Sequence, residues 1–164
     1  MRVLDGSGRS ERLNPWPLAS AMPPLAAITT APACARAYLV TVLASWHMNQ
    51  RAAELQLIVS ELAANAVAAS ADKSGSPWYI EGRMPVIRVC LLSDWALLRV
   101  EVWDQAPGIP LLRSPGDLDE SGRGLALVDH LSTRWGWHPA AGQPGKCVWA
   151  EVPLPGAASE PLRA

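Results

Sequence analysis

Glu61 and Asn65 stand four residues apart inside LQLIVSELAANAVAAS, residues 55 to 70, where almost every neighbour is apolar or small. On a helix the two lie about 40° apart on one face. They border a stripe made by Leu55, Ile58, Leu62 and Ala66. A carboxylate withdrawn from water needs a compensating partner. The pair therefore marks either a half-exposed helix edge or a carboxylate and an amide aimed into a cleft. An amide oxygen is a hard ligand suited to Mg2+, and a carboxylate can accept a proton.

Three further stretches could carry chemistry. In VEVWDQAPGIP, residues 100 to 110, Asp104 ends an alternating run and Pro107-Gly108 makes a turn. Asp104 either caps that turn or offers its carboxylate to a ligand amine. In SGRGLALVDHL, residues 121 to 131, Gly122 and Gly124 precede an apolar helix whose first N–H groups can hold phosphate oxygens. This is not a dinucleotide fingerprint, because Leu127 stands where a third glycine is needed, and no GK[ST] follows to make a P-loop. GQPGKCVWAEVPL, residues 142 to 154, reads as a turn and an alternating strand, which by itself means only a hairpin.

The elements that must position these residues follow from periodicity. A helix is expected from Pro32 to His47 and another from Ala52 to Ala71, with apolar positions at helical spacing. Asp72 to Pro85 is turn-rich. Val86 to Leu92 and Trp95 to Trp103 read as strands joined by a tight turn at Ser93-Asp94. In the second, Leu98, Val100 and Val102 face one way and Arg99, Glu101 and Trp103 the other. A loop from Asp104 to Ser121, a short helix from Gly124 to Leu131, and strands Arg134 to Pro139 and Lys146 to Pro153 complete the order. Residues 16–30, broken by Pro23 and Pro24, could hold one edge strand. Strands in runs separated by helices favour an α+β two-layer sandwich over a βαβ winding. One domain is expected over 16–155, between polar disordered tails at 1–15 and 156–164.

Bulk properties narrow the function classes. The 164 residues are 49% hydrophobic and 18% charged, as in a globular domain with a proper core. A net charge of −1 supports neither nucleic-acid nor membrane-surface binding. No unbroken apolar run reaches the roughly 18 residues of a membrane span. Cys34, Cys90 and Cys147 are scattered, so a structural zinc site is not expected and reduced thiols in the cytoplasm are. His47, His130 and His138 show no metal or triad spacing. Eight Trp and no Phe suit core packing rather than base stacking.

The order and spacing of these pieces resemble the histidine-kinase-like ATPases, the group of gyrase, heat-shock chaperones, histidine kinases and mismatch-repair proteins. Within it the chain looks most like the small anti-sigma factor serine/threonine kinases and their stand-alone actinobacterial relatives. IVSELAANAV is similar to the N box of that group, DQAPGIP to its Asp-x-Gly-x-Gly box, GRGLALVDHLSTRWGW to its second glycine box, and GKCVWAEVPL to its last strand.

The resemblance implies a Bergerat ATP-binding fold, a mixed, mostly antiparallel sheet covered on one face by about three helices. It implies ATP and Mg2+ as cofactors. Asn65 would hold the Mg2+, Glu61 would be the general base, and Asp104 would accept the exocyclic amine of adenine. Gly108 would let the chain pass close to the base. Gly122, Arg123, Gly124 and Leu125 would frame the phosphates below a lid, roughly Ile109 to Ser121. Cys147 would stand near adenine, where many relatives carry Thr. Ala106 replaces the first glycine of its box, and Ala68-Ala69 stand where relatives often have Arg-His.

A kinase acting on its own histidine would need a dimerisation and phosphoacceptor domain, for which about 50 residues before the N box leave no room. The expected activity is phosphorylation of a serine on a small anti-sigma factor antagonist-like protein, with a sigma factor as a further partner, in a cytoplasmic, homodimeric protein. Two alternatives stay open: an ATP-gated protein-binding switch without transfer, and a degenerate domain that binds only proteins.

Overall fold

A computed structural model of the chain describes residues 16–110, 123–140 and 142–155, with the side chain of Arg123 excepted. The two tails expected at 1–15 and 156–164 lie outside these residues. So do Gly122 and most of the expected lid.

The elements run β1 Leu18–Ala21, β2 Leu25–Ala26, α1 Ala31–Ser45, a 3-10 turn at Asn49–Arg51, α2 Ala52–Ala69, β3 Val86–Ser93, β4 Leu97–Asp104, α3 Arg123–Leu131, β5 Arg134–Pro139 and β6 Lys146–Pro153. They make an α+β two-layer sandwich. The sheet order is β1-β3-β4-β6-β5, with β2 also on β3. Every described pairing is antiparallel.

The Pro23-Pro24 break splits the expected single edge strand into two. β1 pairs with residues 90 to 93 of β3, and β2 pairs with 86 and 87. The β3–β4 turn lies one to two residues later than expected. Trp95 is in that turn at φ 68°, not in the strand. The Asp94 carboxylate accepts from the Ala96 and Leu97 N–H groups at 2.9 and 2.7 Å, which stops β3 from continuing into β4.

α1 starts with Pro32 in its first turn, where the missing N–H costs nothing. It ends in a Schellman motif. His47 takes φ 58°, the Met48 N–H reaches the Leu43 carbonyl, and the His47 N–H reaches Ala44. Met48 and Leu43 are both buried, which supplies the apolar contact of that motif.

α2 is the central helix, packed against α1, α3 and the middle of the sheet. The segment Asn49–Ala69 is long and apolar enough to cross a membrane by length and composition. Here Leu55, Ile58, Val59 and Leu62 instead enter a core shared with Leu39, Leu43, Val89, Leu98 and Val100. The β4 alternation is as expected: Leu98, Val100 and Val102 are buried under the helices, while Arg99 and Glu101 lie half-buried on the other face.

That other face is not bare. Glu151, 2% exposed, accepts from Arg99 at 3.3 Å and from the Arg134 fork at 3.0 and 2.6 Å. The Arg99 guanidinium stacks 4.0 Å from the Trp149 ring, and Arg88 stacks 4.8 Å from Trp103.

Ile58 is fully buried, while its neighbour Leu57 is 48% exposed. Ile58→Ala is expected to cost about 2–5 kcal/mol and Leu57→Ala less than about 0.5 kcal/mol. Urea midpoints at constant slope measure both.

Candidate functional site

The burial of α2 brings Glu61 and Asn65 to the border of its apolar face, and both are half-buried. They meet the start of α3 there. A Cβ placed on Gly124 would lie 2.5 Å from Glu61 Oε2 and 3.5 Å from Asn65 Nδ2. A side chain there would push the Glu61 carboxylate from its place, so the glycine lets α3 close on the polar pair as it stands. The Asn65 amide nitrogen is buried and, among the described residues, has no hydrogen-bond partner. Such a group is costly to leave unpaired unless a ligand completes it.

Beside this pair opens a pocket of about 320 Å³. Leu62, Asn65, Ala66, Ala68 and Ala69 of α2 line one side. Asp104, Pro107, Ile109, Pro110, Leu125, Lys146 and Val148 line the rest. The volume suits a small-molecule site, and the lining has the mix of apolar wall and few polar groups that such sites use.

Asp104 ends β4 with only 1% exposure. Its Oδ1 accepts from the Ala106 N–H at 2.9 Å, so it does cap the turn, and from Lys146 Nζ at 2.8 Å. Among the described residues no hydrogen bond goes to Oδ2. Burial raises the Asp104 carboxyl above the usual carboxylate range, while Lys146 and the Ala106 N–H oppose that rise. Lys146 is itself buried, and its ammonium also donates to the Ala106 carbonyl at 3.3 Å. Gly108 sits at φ +97°, a backbone state that favours glycine, between Pro107 and Ile109 of the pocket wall.

The structure thus brings together Glu61, Asn65, Asp104, Gly108, Gly124 and Leu125. Gly122 and the Arg123 side chain lie outside the described residues. Cys147 is a correction. On β6, Val148 and Ala150 face the helices, so Cys147 points to the opposite side of the sheet. It lines a different cavity with Glu101 and His138. Burial first, and then Glu101, push its thiol up to about 12.

The β6 residues that do face the pocket are Val148 and Lys146, and Lys146 pairs in register with Asp104. The alternation of Val148, Ala150 and Val152 carries that information in the sequence. Lysine at a buried strand start is rare enough to hide it.

A family model for the histidine kinase-like ATPase domain matches residues 25–152. The chain belongs to this family. No curated protein matches it closely enough to count as a relative. The match spans every element from β2 to β6, and so every residue of the site. As a histidine kinase-like ATPase domain, the chain carries the ATP-binding fold of that family, and the pocket sits between the helix and glycine segments that the resemblance named.

The Asp104–Lys146 pair is 1% and 7% exposed at its side chains. Asp104→Asn and Lys146→Met are each expected to cost about 3–5 kcal/mol, because each leaves one buried charge alone. The double variant should cost clearly less than the sum. A double-mutant cycle by chemical denaturation measures this, and strict additivity would mean the two groups do not interact.

Proposed function

We propose that this protein binds Mg·ATP in the pocket between α2, the end of β4 and α3, and acts as a protein serine/threonine kinase of the anti-sigma factor type. The observation that carries this reading is the buried Asn65 amide nitrogen, unpartnered among the described residues, beside Glu61 and with Gly124 close to both.

Asn65 would hold the metal through its amide oxygen, and its N–H2 group is free to meet a phosphate oxygen. Glu61 would accept the proton of an attacking serine hydroxyl. Asp104 keeps Oδ2 for the exocyclic amine of the base. Lys146 has two of its three N–H groups engaged, with Asp104 and Ala106, and the third is left for a ring nitrogen. The bound Mg·ATP supplies the phosphoryl group and the charge neutralisation that its transfer requires. The fit is chemical as well as steric: an acceptor and a donor lie side by side in a pocket that is otherwise mostly apolar.

The substrate in this reading is a serine on a small antagonist-like protein, with a sigma factor as a second partner. A cytoplasmic location and a homodimer belong to the same proposal. A second reading, an ATP-gated protein-binding switch without transfer, draws on two observations. Lys146 already occupies one oxygen of Asp104, and Ala68 and Ala69 give the pocket no cation on α2.

Two experiments separate these readings. Calorimetric titration should show ATP binding that depends on Mg2+ and loses that dependence in Asn65→Ala. ITP, which lacks the exocyclic amine, should bind about ten- to a hundredfold more weakly, as expected when a hydrogen bond to a charged group is lost. Equal affinities would remove Asp104 as the base acceptor. Glu61→Gln should keep ATP binding and abolish transfer to a cognate serine protein. A protein that binds ATP but transfers no phosphate even as wild type would be the switch.

A further inference from the structure

The sheet face that looks away from the helices has its own cavity of about 330 Å³, bordered by Glu101, His138, Cys147, Cys90 and Trp103 among others. Three of these residues come from three adjacent strands. His138 of β5 and Trp103 of β4 both pair directly with Cys147 of β6. Glu101 lies two residues from Trp103 and so shares its face. The result is a carboxylate oxygen, an imidazole nitrogen and a thiol sulfur, all within 4.8 Å of one another.

We propose that Glu101, His138 and Cys147 form a binding site for one divalent transition-metal ion of the Zn2+ class. A tetrahedral zinc with bonds of about 2.0–2.3 Å holds its ligand atoms roughly 3.3–3.8 Å apart. The trio is about an ångström looser than that. His138 is exposed and Glu101 half-buried, so both side chains have room to close in. The mix of sulfur, nitrogen and oxygen donors selects a borderline ion rather than Mg2+ or Ca2+.

The second shell is in place as well. His138 Nδ1 lies 3.0 Å from the Pro139 carbonyl, a contact that places the proton on Nδ1 and leaves Nε2 with its lone pair for a metal. Glu101 Oε1 forms an ion pair with Arg99 Nε at 2.9 Å, which holds that carboxylate near the cavity by charge. Arg99 is shared with Glu151 and stacked on Trp149, so its charge is already offset. Arg88 also borders the cavity, stacked on Trp103, and its charge opposes a bound cation, which the Cys147 thiolate and Glu101 carboxylate would have to outweigh. Three protein ligands would leave the fourth position of a tetrahedral ion to water, unlike a closed structural site.

The site is independent of the ATP reading, since it lies on the opposite face of the sheet. The test is a titration of the full chain with Co2+, a coloured stand-in for Zn2+, with Zn2+ as competitor. The expected result is a near-ultraviolet thiolate-to-metal band that Zn2+ displaces. It should vanish in Cys147→Ser and persist in Cys34→Ser. His138→Ala, at an exposed position, should weaken binding by about tenfold or more. No thiolate band in the wild-type protein, or a band that survives in Cys147→Ser, would overturn the proposal. Should Cys147→Ser fail to fold, His138→Ala decides, and unchanged affinity there would overturn it equally.

Discussion

Leu55, Ile58, Val59 and Leu62 of α2 are each no more than 2% exposed, and their burial sets the rotation of this helix over the sheet. A turn of one residue, about 100°, would carry Glu61 toward the core and Val59 toward water. With that rotation set, positions 61 and 65 fall at the border of the apolar face, and Ala66, Ala68 and Ala69 become pocket wall. Gly124 then leaves room for the Glu61 carboxylate where α3 comes close, since a Cβ there would displace it. Hydrophobic packing thus places the two polar groups, and one missing Cβ completes their surroundings.

Charge is buried on both faces of the sheet, and in each case it is paired. Asp104 and Lys146 face the helices, while Glu151 with Arg99 and Arg134 lies on the other side. Buried ion pairs seldom stabilise more than well-packed apolar residues would. Their value lies in position. The Glu151 carboxylate ties side chains of β4, β5 and β6 together at the far end of the sheet. The Asp104–Lys146 pair leaves an unengaged carboxylate oxygen and a spare N–H in a mostly apolar pocket, which is what reading the edge of a base requires.

Most of the fold was legible because its periodicities are clean. The bounds of β5 and β6 agree with the sequence reading to the residue, and the helices to within two. The edge strand split at Pro23-Pro24 was not legible, because a two-residue strand such as β2 has no period of its own. The β3–β4 turn moved because Trp95, a good strand former, takes a left-handed φ that local preference does not announce. In the candidate site, the residues that share an element also lie together in the structure: Glu61 and Asn65 on α2, and Gly124 and Leu125 on α3. The faces of Cys147 and Lys146 were not legible, because adjacent strand residues point to opposite faces and only the pairing shows which is which. The Glu101–His138–Cys147 trio was invisible for a related reason. Its members are 37 and 9 residues apart in sequence and meet only through the β4-β6-β5 order.

β6 therefore serves two surfaces with neighbouring residues, and its register has to be held firmly. Gly145 does part of this. It sits at φ +107° with its backbone against the Asp104 carbonyl, and a Cβ there would collide with the β4 backbone. Only glycine allows β6 to start this close to the end of β4. A slip of one residue would turn Cys147 into the pocket and Lys146 out to the opposite face. It would also separate Lys146 from Asp104 and strand a buried carboxylate. The glycine and the ion pair enforce one alignment by different means, one by excluded volume and one by charge. The same alignment brings His138 and Trp103 opposite Cys147. The pocket under the helices and the cavity on the outer face are thus two consequences of a single strand register.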